Sequence, residues 1–121
     1  MKILKNMTRV ATYFVTEMVN HGVKLLVGQD GFSAENTLNE MELLRDCGLG
    51  EAEIILGASL YPAQWLGLDH QTGSLTENKT ADIVLLHKNP LEDIRNIHTS
   101  AAVIKNGKFV FADRTRDVYS S

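Results

Sequence analysis

Hydrophobic residues follow two different periods in the first third of the chain. Between Met7 and Val19 they recur every three or four positions, which predicts an amphipathic helix. After a helix stop at Gly22, the short apolar run of residues 23–27 predicts a strand that is buried on both faces. A helix followed so closely by such a strand is one αβ unit, the repeat of a parallel sheet.

The next stretch of the chain is predicted to be helical. A second helix is predicted over residues 36–47, with Ser33 or Asn36 as its cap. Residues 51–59 predict a third helix, and Pro62 is suited to be the first residue of a short fourth one. The aromatic side chains in these helices are interpreted as core: Phe14, Tyr61 and Trp65.

Beyond Asp69 the pattern changes to short strands separated by polar turns. The hairpin is the clearest local prediction, because Asn106-Gly107 allows positive φ at both central positions of a type I′ turn. The other predicted elements are a strand over 82–87, one helical turn over 91–95, hairpin strands over 101–105 and 108–112, and a frayed tail over 114–121.

Composition narrows the class of protein. The 121 residues are about half of what a complete (β/α)8 barrel needs, and 44% hydrophobic with 22% charged residues is ordinary for a globular protein. A net charge of −3 with scattered basic residues argues against nucleic acid and anionic membranes as partners. No apolar run approaches the ~20 residues of a membrane span, and no secretory signal is visible. The single Cys47 excludes an internal disulfide and favours a cytoplasmic location.

One carboxylate stands at a chemically informative position. Asp30 follows the predicted strand in the segment Gly28-Gln29-Asp30, and the carboxyl ends of strands are where α/β barrels keep catalytic groups. A carboxylate there can bind a divalent cation and accept a proton from metal-bound water. The alternative is that Asp30 forms an Asx turn or caps the next helix, and spacing alone favours this structural role.

The histidines predict no metal site of their own. No two of them have the i, i+2 or i, i+4 spacing of a ligand pair, and they are spread over the whole chain: His21, His70, His87 and His98.

The order of the elements resembles the C-terminal part of the amidohydrolase superfamily. The branch most similar to it contains imidazolonepropionase-like and prolidase-like members, and the resemblance spans residues 7–112. It rests on an ordered series of segments: Gly28-Gln29-Asp30, Leu66-Gly67-Leu68, Gly73-Ser74-Leu75, Lys79-Thr80-Ala81-Asp82-Ile83-Val84, Asn89-Pro90-Leu91-Glu92-Asp93-Ile94 and Ile104-Lys105-Asn106-Gly107-Lys108.

This resemblance implies an α/β fold. Such enzymes have a distorted (β/α)8 barrel that holds one or two divalent metals, often zinc, beside a small β-sandwich built from both chain ends. Residues 1–68 then match the last αβα part of the barrel, and residues 69–113 match the C-terminal strands of the sandwich. Residues 114–121 are left as the frayed tail.

The resemblance also implies a reaction. The family hydrolyses amide, cyclic amide or amidine bonds of small molecules with metal-activated water. Asp30 matches the aspartate after the eighth strand, which implies that it is both a metal ligand and the general base. Gln29 stands where the family usually has Thr or Ser. The family's His-x-His and its other ligands are expected before residue 1, and a catalytic zinc normally needs three protein ligands. This chain alone is therefore predicted to be inactive.

Two hypotheses remain open. The chain is either the C-terminal segment of a metal-dependent amidohydrolase or a non-catalytic module that acts through oligomerisation or partner binding. Both predict self-association, or association with the missing barrel portion, because a lone αβ unit leaves its strand without parallel neighbours.

Overall fold

The computed structural model describes residues 2–28, 30–31 and 33–113, with the backbone alone for residues 2–8. Gln29 and the predicted tail over 114–121 lie outside the described residues. The elements of the described chain are helices α1 (Lys2–Asn20), α2 (Ala34–Asp46), α3 (Glu51–Gly57) and α4 (Leu60–Trp65), strand β1 (Ile83–Leu86), a 3-10 helix (Ile94–His98), and strands β2 (Ser100–Lys105) and β3 (Lys108–Ala112).

The first helix begins earlier than its hydrophobic stripe predicts. It starts at Lys2 rather than near Met7, because none of the intervening residues is a helix breaker such as Gly or Pro. A hydrogen bond holds α1 against the end of α2. Thr16 Oγ1 donates it to the carbonyl oxygen of Cys47, at 3.1 Å.

The second helix is capped by Ser33, one of the two predicted candidates. Ser33 has an extended backbone, and its side chain accepts a hydrogen bond from the amide of Glu35. The far end of α2 is tied to the start of α3 by an ion pair in which Arg45 Nε lies 2.5 Å from Glu51 Oε1. The hydrogen bond from Arg45 lowers the pKa of Glu51.

The third and fourth helices differ from the prediction at their junction. Helix α3 ends at Gly57 instead of residue 59, and α4 begins at Leu60, so that Pro62 is its third residue and not its first. Proline is tolerated there because the amides of the first helical turn have no acceptor within the helix.

One hydrophobic core joins the helices to the second half of the chain. Its buried residues come from α2, the α2–α3 connection, α3 and the 3-10 helix: Met41, Leu49, Ile54, Ile94 and Ile97. Leu25 and Val27 pack against this core as partly buried side chains. The segment that carries Asp30 therefore lies on the outside of the same core.

The three strands form an antiparallel sheet in the order β1-β2-β3, and the predicted hairpin is confirmed. Asn106 has φ 49° and Gly107 has φ 75°, the positive values that the turn requires. The predicted helical turn over 91–95 lies three residues later, as the 3-10 helix, because the Asp93 side chain caps it by accepting a hydrogen bond from the amide of Arg95.

The strand predicted over residues 23–27 is wrong for the described structure. Residues 23–28 form no strand there, because a strand needs a hydrogen-bonded neighbour and none of the described strands pairs with them. Two main-chain hydrogen bonds hold the ends of this segment, from the Val23 amide to Met18 and from the Val27 amide to Gly57, both at 2.9 Å. Burial on both faces is wrong as well, since Leu26 is 43% exposed.

A carboxylate ties β1 to the hairpin turn and gives the fold an acid-sensitive contact. Asp82 accepts hydrogen bonds from the amide of Asn106 at 2.8 Å and from Lys105 Nζ at 2.9 Å. These two bonds lower the pKa of Asp82 below its ordinary 3.8, the backbone bond being the larger cause. A depressed pKa stabilises the fold at neutral pH, and this contribution disappears as the pH falls through the folded-state value.

We expect an Asp82→Asn variant to lose part of the acid sensitivity of the chain. Because Asn cannot be protonated in this range, the midpoint temperature of unfolding should fall less steeply than in the wild type between about pH 5 and pH 2. Circular dichroism melts measure this slope. Glu77→Gln, on an exposed turn, serves as the control and should keep the wild-type slope. Equal slopes for Asp82→Asn and the wild type would show that the contact contributes nothing to the acid sensitivity of the chain.

Candidate functional site

The candidate site is the end of the segment that runs from Val23 through Asp30. Leu25 and Val27 face the core, whereas Leu26, Gly28 and Asp30 are exposed. Exposure alternates along residues 24–28, with Leu25 and Val27 half-buried and their neighbours exposed. Asp30 is thus carried at the open end of a segment whose other side is fixed to the core.

A cavity opens on the same side, at the other end of the segment. It has a volume of about 370 Å³ and is lined by Lys24, Leu26, Tyr61, Gln64 and Trp65. Lys24 Nζ donates a 3.0 Å hydrogen bond to Gln64 Oε1 and lies 4.9 Å from the centroid of the Tyr61 ring. Asp30 does not line this cavity, so the cavity and the candidate carboxylate are separate features.

The aromatic residues are more exposed than core residues would be, although the sequence predicts that they belong to the core. Trp65 is 77% exposed and Phe14 is 59% exposed, so the prediction is wrong for both in the described structure. Tyr61 is half-buried, and partial burial raises its pKa, with a further increase from its hydrogen bond to Glu53. Trp65 lies beside the exposed side of Leu26, since both line the same cavity.

The histidines take part in local contacts that tie elements together. His98 Nε2 lies 2.6 Å from Glu42 Oε1 and links the 3-10 helix to α2, and His87 Nε2 lies 3.3 Å from Asp113 Oδ2. Among the described residues, no three His, Cys, Asp or Glu side chains are arranged to hold a metal ion. Asp30 therefore belongs to no group of potential metal ligands among the described residues.

Sequence reasoning missed Gly57. Its carbonyl oxygen accepts the hydrogen bond from the Val27 amide, and a Cβ atom at this position would lie 2.6 Å from the carbonyl oxygen of Leu25. The available signal was a glycine within an apolar helical run, which is unfavourable for a helix and therefore indicates a close approach of another chain segment.

The amidohydrolase family model matches residues 8–110. This chain belongs to the amidohydrolase family. The match includes Asp30, the helices on which its segment packs, and the three-stranded sheet as far as residue 110 of β3. The resemblance found in the sequence is thereby confirmed at the level of the family.

Individual proteins are also similar to this chain. A 5-methylthioadenosine/S-adenosylhomocysteine deaminase from Moorella thermoacetica is 29% identical over 116 residues, which is 86% of this chain and 26% of the deaminase. A prolidase-like protein from Bifidobacterium longum is 34% identical with a TM-score of 0.73, covering 80% of this chain and 25% of that one. A Xaa-Pro dipeptidase is 25% identical with a TM-score of 0.74, covering 81% and 25%.

The chain spans about a quarter of the length of the relatives that it matches. Its mixture of helices and sheet resembles one part of these larger proteins, and the fold prediction is confirmed to that extent.

Amidohydrolases are generally metal-dependent. A catalytic zinc normally takes three protein ligands, and the described residues contain no group of three His, Cys, Asp or Glu side chains that could hold a metal ion, so they do not form such a centre by themselves. Within the part of the chain that the structure describes, no helix has the length and apolar character needed to cross a bilayer.

Proposed function

We propose that this chain is the C-terminal segment of a metal-dependent amidohydrolase that hydrolyses C–N bonds in small amide, cyclic amide or amidine substrates. The observation that carries the proposal is the position of Asp30. It is exposed at the end of a segment that packs on the core through its other side, within a family match that spans residues 8–110. The single Cys47 supports a reducing, cytoplasmic setting for this enzyme.

In this proposal, residues 1–68 supply the last αβα part of a (β/α)8 barrel and residues 69–113 supply strands of the adjoining β-sandwich. The open apolar side supports it. Val23 and Leu26 are 44% and 43% exposed, which is high for apolar residues in a segment that would be an inner strand of a barrel. Neighbouring barrel strands would cover these side chains and pair with the backbone between Val23 and Val27.

Asp30 would contribute one carboxylate ligand to a centre completed by side chains from outside this chain. When bound, a divalent metal such as zinc lowers the pKa of a coordinated water, and a nearby carboxylate can take the proton that is released. Asp30 is suited to that role because it is exposed and does not line the cavity that contains Lys24. The chain by itself would be inactive, since one carboxylate does not hold a catalytic zinc.

Two measurements test this proposal. The DNA upstream of the codon for Met1 should contain, in frame, the His-x-His pair that supplies two of the other ligands, and its absence would overturn the assignment as a segment. The isolated chain should bind less than stoichiometric zinc by metal analysis and should hydrolyse none of a panel of amides and lactams. Stoichiometric zinc together with turnover would show an autonomous enzyme instead.

The alternative function is a non-catalytic module that acts through oligomerisation. The exposed apolar side chains favour it, because they leave the chain with a surface suited to burial against another molecule. Two of the largest lie on α1, Tyr13 at 63% and Phe14 at 59% exposed.

Both functions lead us to expect that the isolated chain self-associates through its exposed apolar side chains, including those of α1. Phe14→Lys should raise the monomer fraction by about tenfold, because it introduces a charge into the surface that becomes buried. Sedimentation velocity over a concentration series measures this fraction. Leu75→Lys is the control, since Leu75 is 80% exposed on a turn and its replacement should change nothing. A wild-type chain that sediments as a single monomeric species would contradict the expectation.

A further inference from the structure

We infer that Gly57 is a positioning residue for Asp30. The missing side chain at position 57 allows the backbone of residues 25–27 to lie directly on the end of α3, and this contact sets where the segment delivers Asp30. The functional consequence rests on the role proposed for Asp30 above, whereas the contact itself is independent of that role.

The contact is made backbone to backbone. The Val27 amide donates a 2.9 Å hydrogen bond to the carbonyl oxygen of Gly57. Gly57 is buried, and a Cβ atom there would lie 2.6 Å from Leu25 O and 3.5 Å from Val27 Cγ2. Carbonyl oxygens of the backbone cannot rotate away as a flexible side chain can, so a methyl group at position 57 requires one of the two segments to move.

The segment of residues 25–27 is the one expected to move. Helix α3 is anchored by Ile54, which is 1% exposed in the centre of the core. The segment is open on the side of Leu26 and is held by two main-chain hydrogen bonds at its ends, one of which is the bond to Gly57. A displacement of about 0.4 Å would bring the contact to 3.0 Å, the lower limit of real Cβ contacts. Asp30 follows three residues after Val27, so a movement of residues 25–27 is expected to change its position.

Gly50 provides a control at the N-cap of the same helix. It precedes α3 with φ −73°, and a Cβ atom there meets nothing within 4 Å. Alanine can adopt this φ and has room there, so Gly50→Ala should cost only the modest difference in N-cap preference between glycine and alanine. A disturbance that is confined to Gly57→Ala would therefore come from the contact with residues 25–27 and not from the helix.

The direct test is amide hydrogen exchange, followed by NMR, in the 121-residue chain. In Gly57→Ala we expect the Val27 amide to exchange at least about tenfold faster and the Asp30 resonances to shift, while the amide of Ile54 keeps its protection. Gly50→Ala should match the wild type. Unchanged exchange at Val27 in Gly57→Ala would overturn the inference.

A second variant breaks the same contact from the other side, in case Gly57→Ala does not fold. Val27→Pro removes the amide that donates to Gly57 and leaves α3 intact. It should shift the Asp30 resonances and preserve the protection of Ile54. Loss of protection at Ile54 in both variants would also overturn the inference, because Gly57 would then act only in core packing.

The consequence for function is measured in the complete protein. Gly57→Ala should weaken zinc affinity by about 10- to 100-fold, the effect typical of residues that orient a metal ligand, and Gly50→Ala should not. Failure of the proposed function has a different signature, namely a wild-type protein whose zinc affinity does not depend on Asp30. In that case the exchange result at Val27 still decides whether Gly57 fixes the segment.

Discussion

Replacing Asp30 with asparagine should reduce turnover by the complete amidohydrolase by about 10²- to 10⁴-fold, the range that general acid–base catalysis contributes. Asparagine keeps the size of the side chain and one oxygen acceptor. It has no negative charge to offer a cation and no basic oxygen to take a proton from water. The measurement is kcat with an amide or lactam substrate, together with the zinc content of wild type and variant.

Glu77→Gln is the matched control for this experiment, because it also neutralises one exposed carboxylate of the same family-matched region. It should leave both kcat and zinc content unchanged. If Asp30→Asn behaved in the same way as this control, Asp30 would have only the structural role of a turn or capping residue. The two substitutions together thus separate the loss of a particular carboxylate from the loss of one negative charge.

Ile54→Ala should destabilise the folded chain by about 2–5 kcal/mol, the cost of truncating a buried isoleucine and leaving a cavity. Ile54 is 1% exposed and lies in the core that α2, α3 and the 3-10 helix share. Domains of this size have free energies of unfolding of about 5–15 kcal/mol, so the loss is a large fraction of the total. Urea unfolding followed by circular dichroism gives the difference.

The control is Leu43→Ala on α2, where the side chain is 59% exposed. Its replacement should change the free energy of unfolding by no more than about 0.5 kcal/mol. Similar losses for Ile54→Ala and Leu43→Ala would mean that the core is not centred where the three elements meet.

The parts of the fold that local chemistry decides were predictable from the sequence. Asn106-Gly107 predicts the hairpin correctly because its two positive φ values are available to very few residue pairs. Ser33 caps α2 as one of two predicted candidates. The helical turn was predicted three residues too early, since hydrophobic spacing does not show that the Asp93 side chain would select the start of the 3-10 helix.

The parts that depend on neighbours were not predictable in the same way. The run of residues 23–27 has the composition of an inner strand, but strand pairing needs partners that the described chain does not place beside it. Trp65 is apolar and lies on a helix, yet its burial depends on what lies opposite. Asp30 is a candidate through the ordered resemblance to a family, whereas the contact of Gly57 with Leu25 and Val27 becomes visible only when both backbones are placed in space.

The common core has a consequence for how the two halves of the chain hold together. Ile94 and Ile97 are inserted among side chains of α2 and α3, and the link between His98 and Glu42 crosses the same boundary. Separating the sheet from the helices would require these isoleucines to be returned to water. The two halves would therefore stay associated through noncovalent packing even if the peptide chain between them were cut.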